Sequence, residues 1–71
     1  MRVSYYVLKS DGAEIARARG NSRGGYAVTF PDSDRVHALQ KARRVRDVVS
    51  YVRAIANVWS ESEVTVEREP A

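Results

Sequence analysis

Apolar residues recur at spacings of three and four in the second half of the chain, and this feature constrains the fold more than any other. Its members are Val45, Val48, Val49, Val52, Ile55, Ala56 and Trp59. Such spacing places them on one side of a single long helix. The opposite side carries Arg43, Arg46, Ser50, Arg53 and Asn57. Because β-branched valines have modest helix propensity, this helix must pack against another element to be stable.

The rest of the sequence predicts a sheet for the helix to pack against. Alternating apolar residues and turn signals predict strands at residues 3–8, 14–19, 26–30 and 63–68. Asp11 and Gly12 predict a hairpin turn between the first two strands, because glycine adopts positive φ without strain. Pro31 ends the third strand, since it has no N–H to donate. In the last strand, Val64 and Val66 are expected to face inward.

The sequence of residues 36–40 is compatible with either a helix or a short strand. This segment contains good helix formers, but in a helix that began there Leu39 would lie roughly 140° from the centre of the apolar stripe. A short strand would bury Val36 and Leu39 instead, and the prediction leans towards it. The chain is therefore predicted to be one α+β domain over residues 1–71. Its antiparallel sheet of three to five strands packs against one long helix, in the order β-β-β-(β)-α-β.

The small size of the chain restricts how the fold can be stabilised. A domain of 71 residues buries only about 60% of the surface that its unfolded chain exposes. With no cysteine, and with His37 as the single histidine, neither a disulfide nor a zinc site of the usual kind can form. Self-association is the remaining common solution, so a homodimer is predicted. No apolar run reaches the roughly 20 residues of a membrane span and no secretory signal is recognisable, so a cytoplasmic location is expected.

The motifs that could carry catalysis or bind a metal are better explained by local structure. Gly20 and Gly25 have the spacing that opens a phosphate-binding loop, but the Lys and the Ser or Thr that must follow are absent. A glycine-rich hairpin loop explains these glycines better. His37 follows the Asp-Ser-Asp sequence at 32–34, which a turn or a helix cap explains without a catalytic or metal-binding role. No catalytic, metal-binding or cofactor-binding residue is predicted, and the chain is expected not to be an enzyme.

The charges are distributed unevenly along the chain. Residues 35–53 contain six basic residues and one acid, Asp47, whereas residues 60–71 contain four acids and one base, Arg68. This asymmetry is typical of a basic face that meets an acidic partner, and equally of a solvated helix with a solubilising acidic tail. Arg43 lies four residues before Asp47 and is expected to pair with it weakly.

The sequence is compatible with either a protein or a nucleic acid as the partner. The predicted protein-binding residues are Arg23, Arg43, Arg44, Arg46, Arg53 and Trp59. Trp59 is expected either to cover the helix–sheet core or, if exposed, to anchor an interface. In the nucleic-acid alternative, arginines would contact phosphates and tyrosines would stack on bases. The residues concerned are Arg17, Arg19, Arg23, Arg43, Arg44 and Arg46, with Tyr5, Tyr6 or Tyr26.

The stretch Gly-Tyr-Ala-Val-Thr-Phe-Pro-Asp at residues 25–32 resembles the strand signature of HicB-like antitoxins. In that family an alternating strand led by an aromatic residue runs into a Phe-Pro-Asp turn, and a short strand, an amphipathic helix and a last strand follow. The resemblance covers residues 5–67 loosely. It implies a partial ribonuclease-H-like fold, a homodimer and inhibition of a partner toxin by direct contact, without catalytic residues. A phage or mobile-element inhibitor of a host defence complex, of the anti-CRISPR type, would share the same sequence features.

Overall fold

The computed structural model describes residues 5–20 and 24–69, which form a five-stranded sheet and one main helix. The strands are β1 (Tyr5–Ser10), β2 (Ala13–Gly20), β3 (Tyr26–Thr29), β4 (Val36–Leu39) and β5 (Thr65–Glu69). Helix α1 (Val45–Ala56) follows β4 in sequence, and a short 3₁₀ helix (Glu61–Glu63) precedes β5. The predicted α+β class is confirmed, and β4 is the short strand towards which the prediction leaned.

The sheet is antiparallel throughout, with the spatial order β4-β3-β2-β1-β5. The last strand therefore pairs with the first, and β4 and β5 lie at the two edges. Asp11 and Gly12 have φ values of 53° and 80°, as a tight two-residue turn between β1 and β2 requires. The predicted hairpin is thus present, and it brings the two central strands together.

Strand β2 carries one extra residue opposite β1. Leu8 pairs with Ala16 and Lys9 pairs with Glu14, so Ile15 is inserted into the strand without a partner of its own. Such a bulge changes the alternation of the side chains locally. As a result, both Ile15 and Ala16 contribute to the core.

One face of the sheet packs against α1 and forms the core. Val48 and Val52 on the helix, and Leu8 and Val28 on the sheet, are fully buried. They are joined by Ala16, Ala18, Ala42 and Val64. Because β2 presents two small alanines to the helix, the backbones of helix and sheet can approach each other closely. The predicted apolar stripe therefore does cover the sheet, through its central members.

Helix α1 is shorter than the long helix that the sequence predicts. It ends at Ala56 because Asn57 adopts the left-handed conformation, and the N–H groups of Asn57 and Val58 both donate to the Arg53 carbonyl. At the other end, the Asp47 carboxylate accepts the backbone N–H groups of Arg43 and of the neighbouring residue, both at 3.1 Å. Asp47 therefore caps the helix, and its bond to Arg43 is to the backbone instead of the guanidinium.

Candidate functional site

The sheet face that α1 does not cover carries a set of ion pairs. Lys9 Nζ lies 2.7 Å from a Glu67 carboxylate oxygen. Arg17 lies 3.0 Å from the Glu14 carboxylate and 3.6 Å from that of Glu69. Two of the acids from the C-terminal region therefore belong to the sheet, where they pair with side chains of β1 and β2, so this region is not simply a solvated tail.

These ion pairs make the open face electrostatically balanced. The hydrogen bond to Glu67 and its negative charge raise the pKa of Lys9, and Glu14 raises the pKa of Arg17 in the same way. Both shifts reflect stabilisation of the charged form of the side chain by its carboxylate partner. Val7, which pairs with Arg17 and Glu67 in the sheet register, is only 4% exposed. This face offers little unpaired charge to an outside molecule.

The residues predicted to bind nucleic acid by stacking do not share one surface. Arg19 lies over the Tyr5 ring, 6.0 Å from its centre, on the open face of the sheet. Tyr6 and Tyr26 lie on the other face, edge to face at 6.3 Å, and pack against the core. Burial raises the pKa of the Tyr26 hydroxyl. The described residues therefore do not form a platform of tyrosines beside arginines, and Arg23 lies outside the described residues.

His37 contributes to a packing contact between β4 and α1. Its Nδ1 atom lies 3.0 Å from the Tyr51 hydroxyl, and its ring meets that of Phe30 edge to face at 5.4 Å. In the preceding turn, Ser33 Oγ accepts the backbone N–H of Arg35 at 3.1 Å. Within the described ranges, no three His, Asp or Glu side chains are placed so that they could hold a metal ion. The observed contacts of His37 and of this turn are structural.

An open concavity of about 520 Å³ lies between the β4–α1 connection and the helix. Its wall includes Lys41, Asp47 and Tyr51. The Asp47 carboxylate already caps α1, and the Tyr51 hydroxyl is bonded to His37. Because these two polar groups are used within the fold, the concavity is a weak candidate for a binding site.

Three arginines at the start of α1 form an exposed basic ridge, defined here as Arg43, Arg44 and Arg46. Within residues 5–20 and 24–69, none of the three has an ion pair with an acidic side chain. Arg35 and Lys41 are also exposed. The ridge therefore leaves its positive charge available to an outside partner.

Trp59 is presented to solvent by the turn that follows α1. Its side chain is 84% exposed, so the interpretation of Trp59 as a cover for the core is wrong. The turn is held by the left-handed Asn57 and by the Trp59 N–H, which donates to the Glu63 carboxylate at 3.0 Å. Val58 packs against the core instead. A large aromatic side chain exposed on a hydrogen-bonded turn is typical of an interface anchor.

A groove lies between α1 and the edge strand β5, with a volume of about 300 Å³. Val45, Val49 and Val66 give it an apolar floor, and Arg46 and Arg53 line its helix side. Glu61, from the same connection as Trp59, also lines it. The groove therefore combines an apolar surface with two cations and one acid.

Two apolar residues that the sequence assigned to the core are exposed near the end of α1 and on β5. Val66 pairs with Leu8 and shares its face of the sheet, yet it is 39% exposed, whereas Val64 is 8% exposed. Ile55 belongs to the predicted stripe and is 47% exposed. Periodicity shows the direction of a side chain, but no local signal shows whether another element covers it. Ile55 and Val66 were therefore not recognised from the sequence as surface residues, and the groove that Val66 lines was missed as well.

Arg53 differs from the basic ridge because it is partly buried beside the groove. Its Nε atom is buried and has no hydrogen-bond partner among the residues that the structure describes. A buried donor left without an acceptor destabilises a fold by about 1–3 kcal/mol. The described residues therefore leave one buried donor of Arg53 unsatisfied.

Comparison with protein-family models, with curated proteins and with solved structures gives no match for this chain. Among the described residues, no helix has both the length and the apolar character that crossing a membrane requires. Three surface features of the described residues are open to a partner: exposed Trp59, the groove beside β5 and the basic ridge.

Proposed function

We propose that this chain is a non-catalytic protein that binds and inhibits or regulates a macromolecular partner by direct protein–protein contact. The observation that carries the proposal is the 84% exposure of Trp59 on a hydrogen-bonded turn. Tryptophan and arginine are enriched among the residues that dominate the binding energy of interfaces. Trp59 occurs here with a ridge of arginines that have no ion pair within the described chain. A protein with an apolar pocket and acidic surroundings would complement this combination.

Within this class, an antitoxin-like role is the one we propose first. Two features support it: the resemblance of residues 25–32 to the HicB-like strand signature, and the succession of a sheet, a short strand, one helix and a last strand. A phage or mobile-element inhibitor of a host defence complex, of the anti-CRISPR type, is the alternative, and the same exposed residues would serve it. We place either role in the cytoplasm, because a chain without cysteine has no need of an oxidising compartment.

Capture from cells of the source organism tests the protein-binding proposal. A tagged chain and its Trp59→Ala variant are used in parallel, each with and without nuclease, and the captured proteins are identified by mass spectrometry. The expected result is a protein that the parent chain retains after nuclease treatment and that the variant retains poorly. A partner that nuclease releases, or one that both chains capture equally, would contradict the proposal.

Nucleic-acid binding is the second candidate, because the basic ridge is exposed and is not neutralised within the described residues. Salt dependence distinguishes it from protein binding. If the three arginines of the ridge bind phosphates, affinity for a short DNA duplex should fall about 40-fold between 50 and 200 mM salt. An interface anchored by Trp59 depends far less on salt, so we expect the affinity for the purified protein partner to fall by much less than this over the same range.

The matched control for this experiment is the double variant Arg43→Glu with Arg46→Glu, whose positions are exposed and should tolerate the change without unfolding. Under the first candidate, the variant binds the protein partner more weakly while binding to the duplex is negligible for either chain. Tight binding of the parent chain to the duplex, lost in the variant and steeply dependent on salt, would favour the second candidate.

We also propose that the chain forms a homodimer. In the described part of the chain, the fully or nearly fully buried apolar residues include three alanines, so the core is thin. Strand β4 lies at an edge of the sheet, contains no charged residue and exposes 57% of Val36. Such an edge is available for pairing with another strand. Sedimentation at micromolar concentration should therefore give twice the chain mass of 8.0 kDa, and a monomer at every concentration would contradict the proposal.

A further inference from the structure

We propose that the groove between α1 and β5 receives an aliphatic side chain and a neighbouring carboxylate from one acidic segment of the protein partner. This inference rests on the proposed function, because it specifies the chemistry of the partner. The floor formed by Val45, Val49 and Val66 is apolar, so burying an aliphatic side chain on it is favourable. A volume of about 300 Å³ lies at the lower end of ligand sites and suits a short segment of chain.

Arg53 determines the polar part of the ligand. Its buried Nε has no hydrogen-bond partner in the described residues, and a guanidinium has only donors, so the missing group must be an acceptor. A carboxylate is the protein group that matches the guanidinium with two parallel hydrogen bonds. A rotation of the Arg53 side chain towards the groove would pair its Nε–H and one Nη–H with the two carboxylate oxygens. Binding would then satisfy a donor that has no partner among the described residues of the free chain.

The charge around the groove favours an acidic segment over a basic one. Arg46 and Arg53 line the helix side, whereas Glu61 is the acid among the lining residues. A basic segment would meet two like charges there, which disfavours it. A nucleic-acid backbone would satisfy the arginines, but its phosphates would gain nothing from a valine floor. An acidic segment with an aliphatic residue suits both parts of the groove.

The central test compares the parent chain with Arg53→Met. Methionine keeps an unbranched apolar stem in the same place and removes every guanidinium donor. Because the unpaired buried donor is removed, the melting temperature of Arg53→Met should equal or exceed that of the parent chain. Its affinity for the acidic segment should fall at least about tenfold, because the bidentate partner of the carboxylate is lost. If Arg53 had only a structural role, Arg53→Met would lower the melting temperature together with the affinity for the acidic segment.

The probe is a phage-displayed library of short random peptides, selected on the immobilised full chain. We expect enrichment of peptides that carry Asp or Glu close to Leu, Ile or Val. The most enriched peptide is synthesised, and its affinity is measured by calorimetry beside a copy in which the acid is changed to its amide. Val66→Asp, which places a like charge on the floor, should abolish binding. Ile55→Asp is the matched control, since Ile55 is an exposed apolar residue that does not line the groove.

Three results would overturn this inference: enriched peptides without an acid, an affinity that Arg53→Met leaves unchanged, or no enrichment above that found with the Val66→Asp chain. Failure of the protein-binding function would be recognised separately. A captured protein whose binding depends on Trp59 and not on Arg53 would retain that function and reject the groove as its site. Absence of any Trp59-dependent protein would reject the function itself.

Discussion

Replacing Trp59 with alanine should weaken binding of the protein partner by about a hundredfold, because tryptophan is among the residues whose truncation costs an interface most. The fold should be unaffected. The side chain is 84% exposed in the free chain, and the hydrogen bond that holds its turn uses the backbone N–H of Trp59 and the Glu63 carboxylate. Both groups remain in the variant. Calorimetric titration with the purified partner measures the loss of affinity, and a thermal melt measures the stability of each chain.

Trp59→Phe is the matched variant for this prediction. It keeps an aromatic ring and loses part of the apolar area and the indole N–H, so its affinity should lie between those of the parent chain and Trp59→Ala. An unchanged affinity of Trp59→Ala would remove Trp59 from the interface. A clear fall in its melting temperature would show instead that the tryptophan packs within the fold.

Replacing Val52 with alanine should destabilise the domain by an amount on the order of 1–3 kcal/mol. Val52 is fully buried at the centre of the contact between α1 and the sheet, where it packs with Leu8 and Val28. The cavity that alanine leaves there deprives the surrounding side chains of apolar contacts that no exposed side chain can replace. Since small domains are only marginally stable, a loss of this size removes much of their total free energy of unfolding. Denaturant titration followed by circular dichroism measures it.

Val36→Ala is the control for this prediction, because it makes the same chemical change at a residue that is 57% exposed. Its effect on the free energy of unfolding should stay within about 0.5 kcal/mol in the monomer. Equal effects of the two substitutions would mean that α1 does not cover the sheet through Val52. That result would invalidate the assignment of the basic ridge to the outer side of the helix.

The core was largely predictable from the sequence because it depends on local periodicity. The spacing of Val48 and Val52 indicated the helix face, and alternation around Val28 indicated a strand. The length of the helix was not predictable in the same way. It ends at Asn57, a residue that can adopt the left-handed conformation without being as clear a signal as glycine. The apolar pattern continues past that point to Trp59, so the predicted helix was too long.

The candidate site was harder to predict, because it depends on which elements become neighbours. Helix geometry assigned Arg43 and Arg46 correctly to the exposed side, whereas Arg53, which was assigned to the same side, is partly buried beside the groove. Val66 was assigned to the core from alternation, and its exposure follows from the position of β5 at the edge of the sheet. Nothing in the local sequence specifies that the last strand pairs with β1. The groove, and the Arg53 Nε that has no partner among the described residues, can therefore be recognised only from the structure.

The pairing of β5 with β1 has a consequence for the lifetime of the folded chain. Tyr5 pairs with Glu69, so the edge strand β5 is joined to a strand that lies at the other end of the described sequence. All five residues of β5 are exposed. Edge segments of this kind open more readily than central strands, and proteases attack the opened form. Under the proposal for the groove, a bound segment would contact Val66 and hold β5 in place, so by mass action it would slow degradation. A chain without its partner would then be removed sooner than one that is engaged.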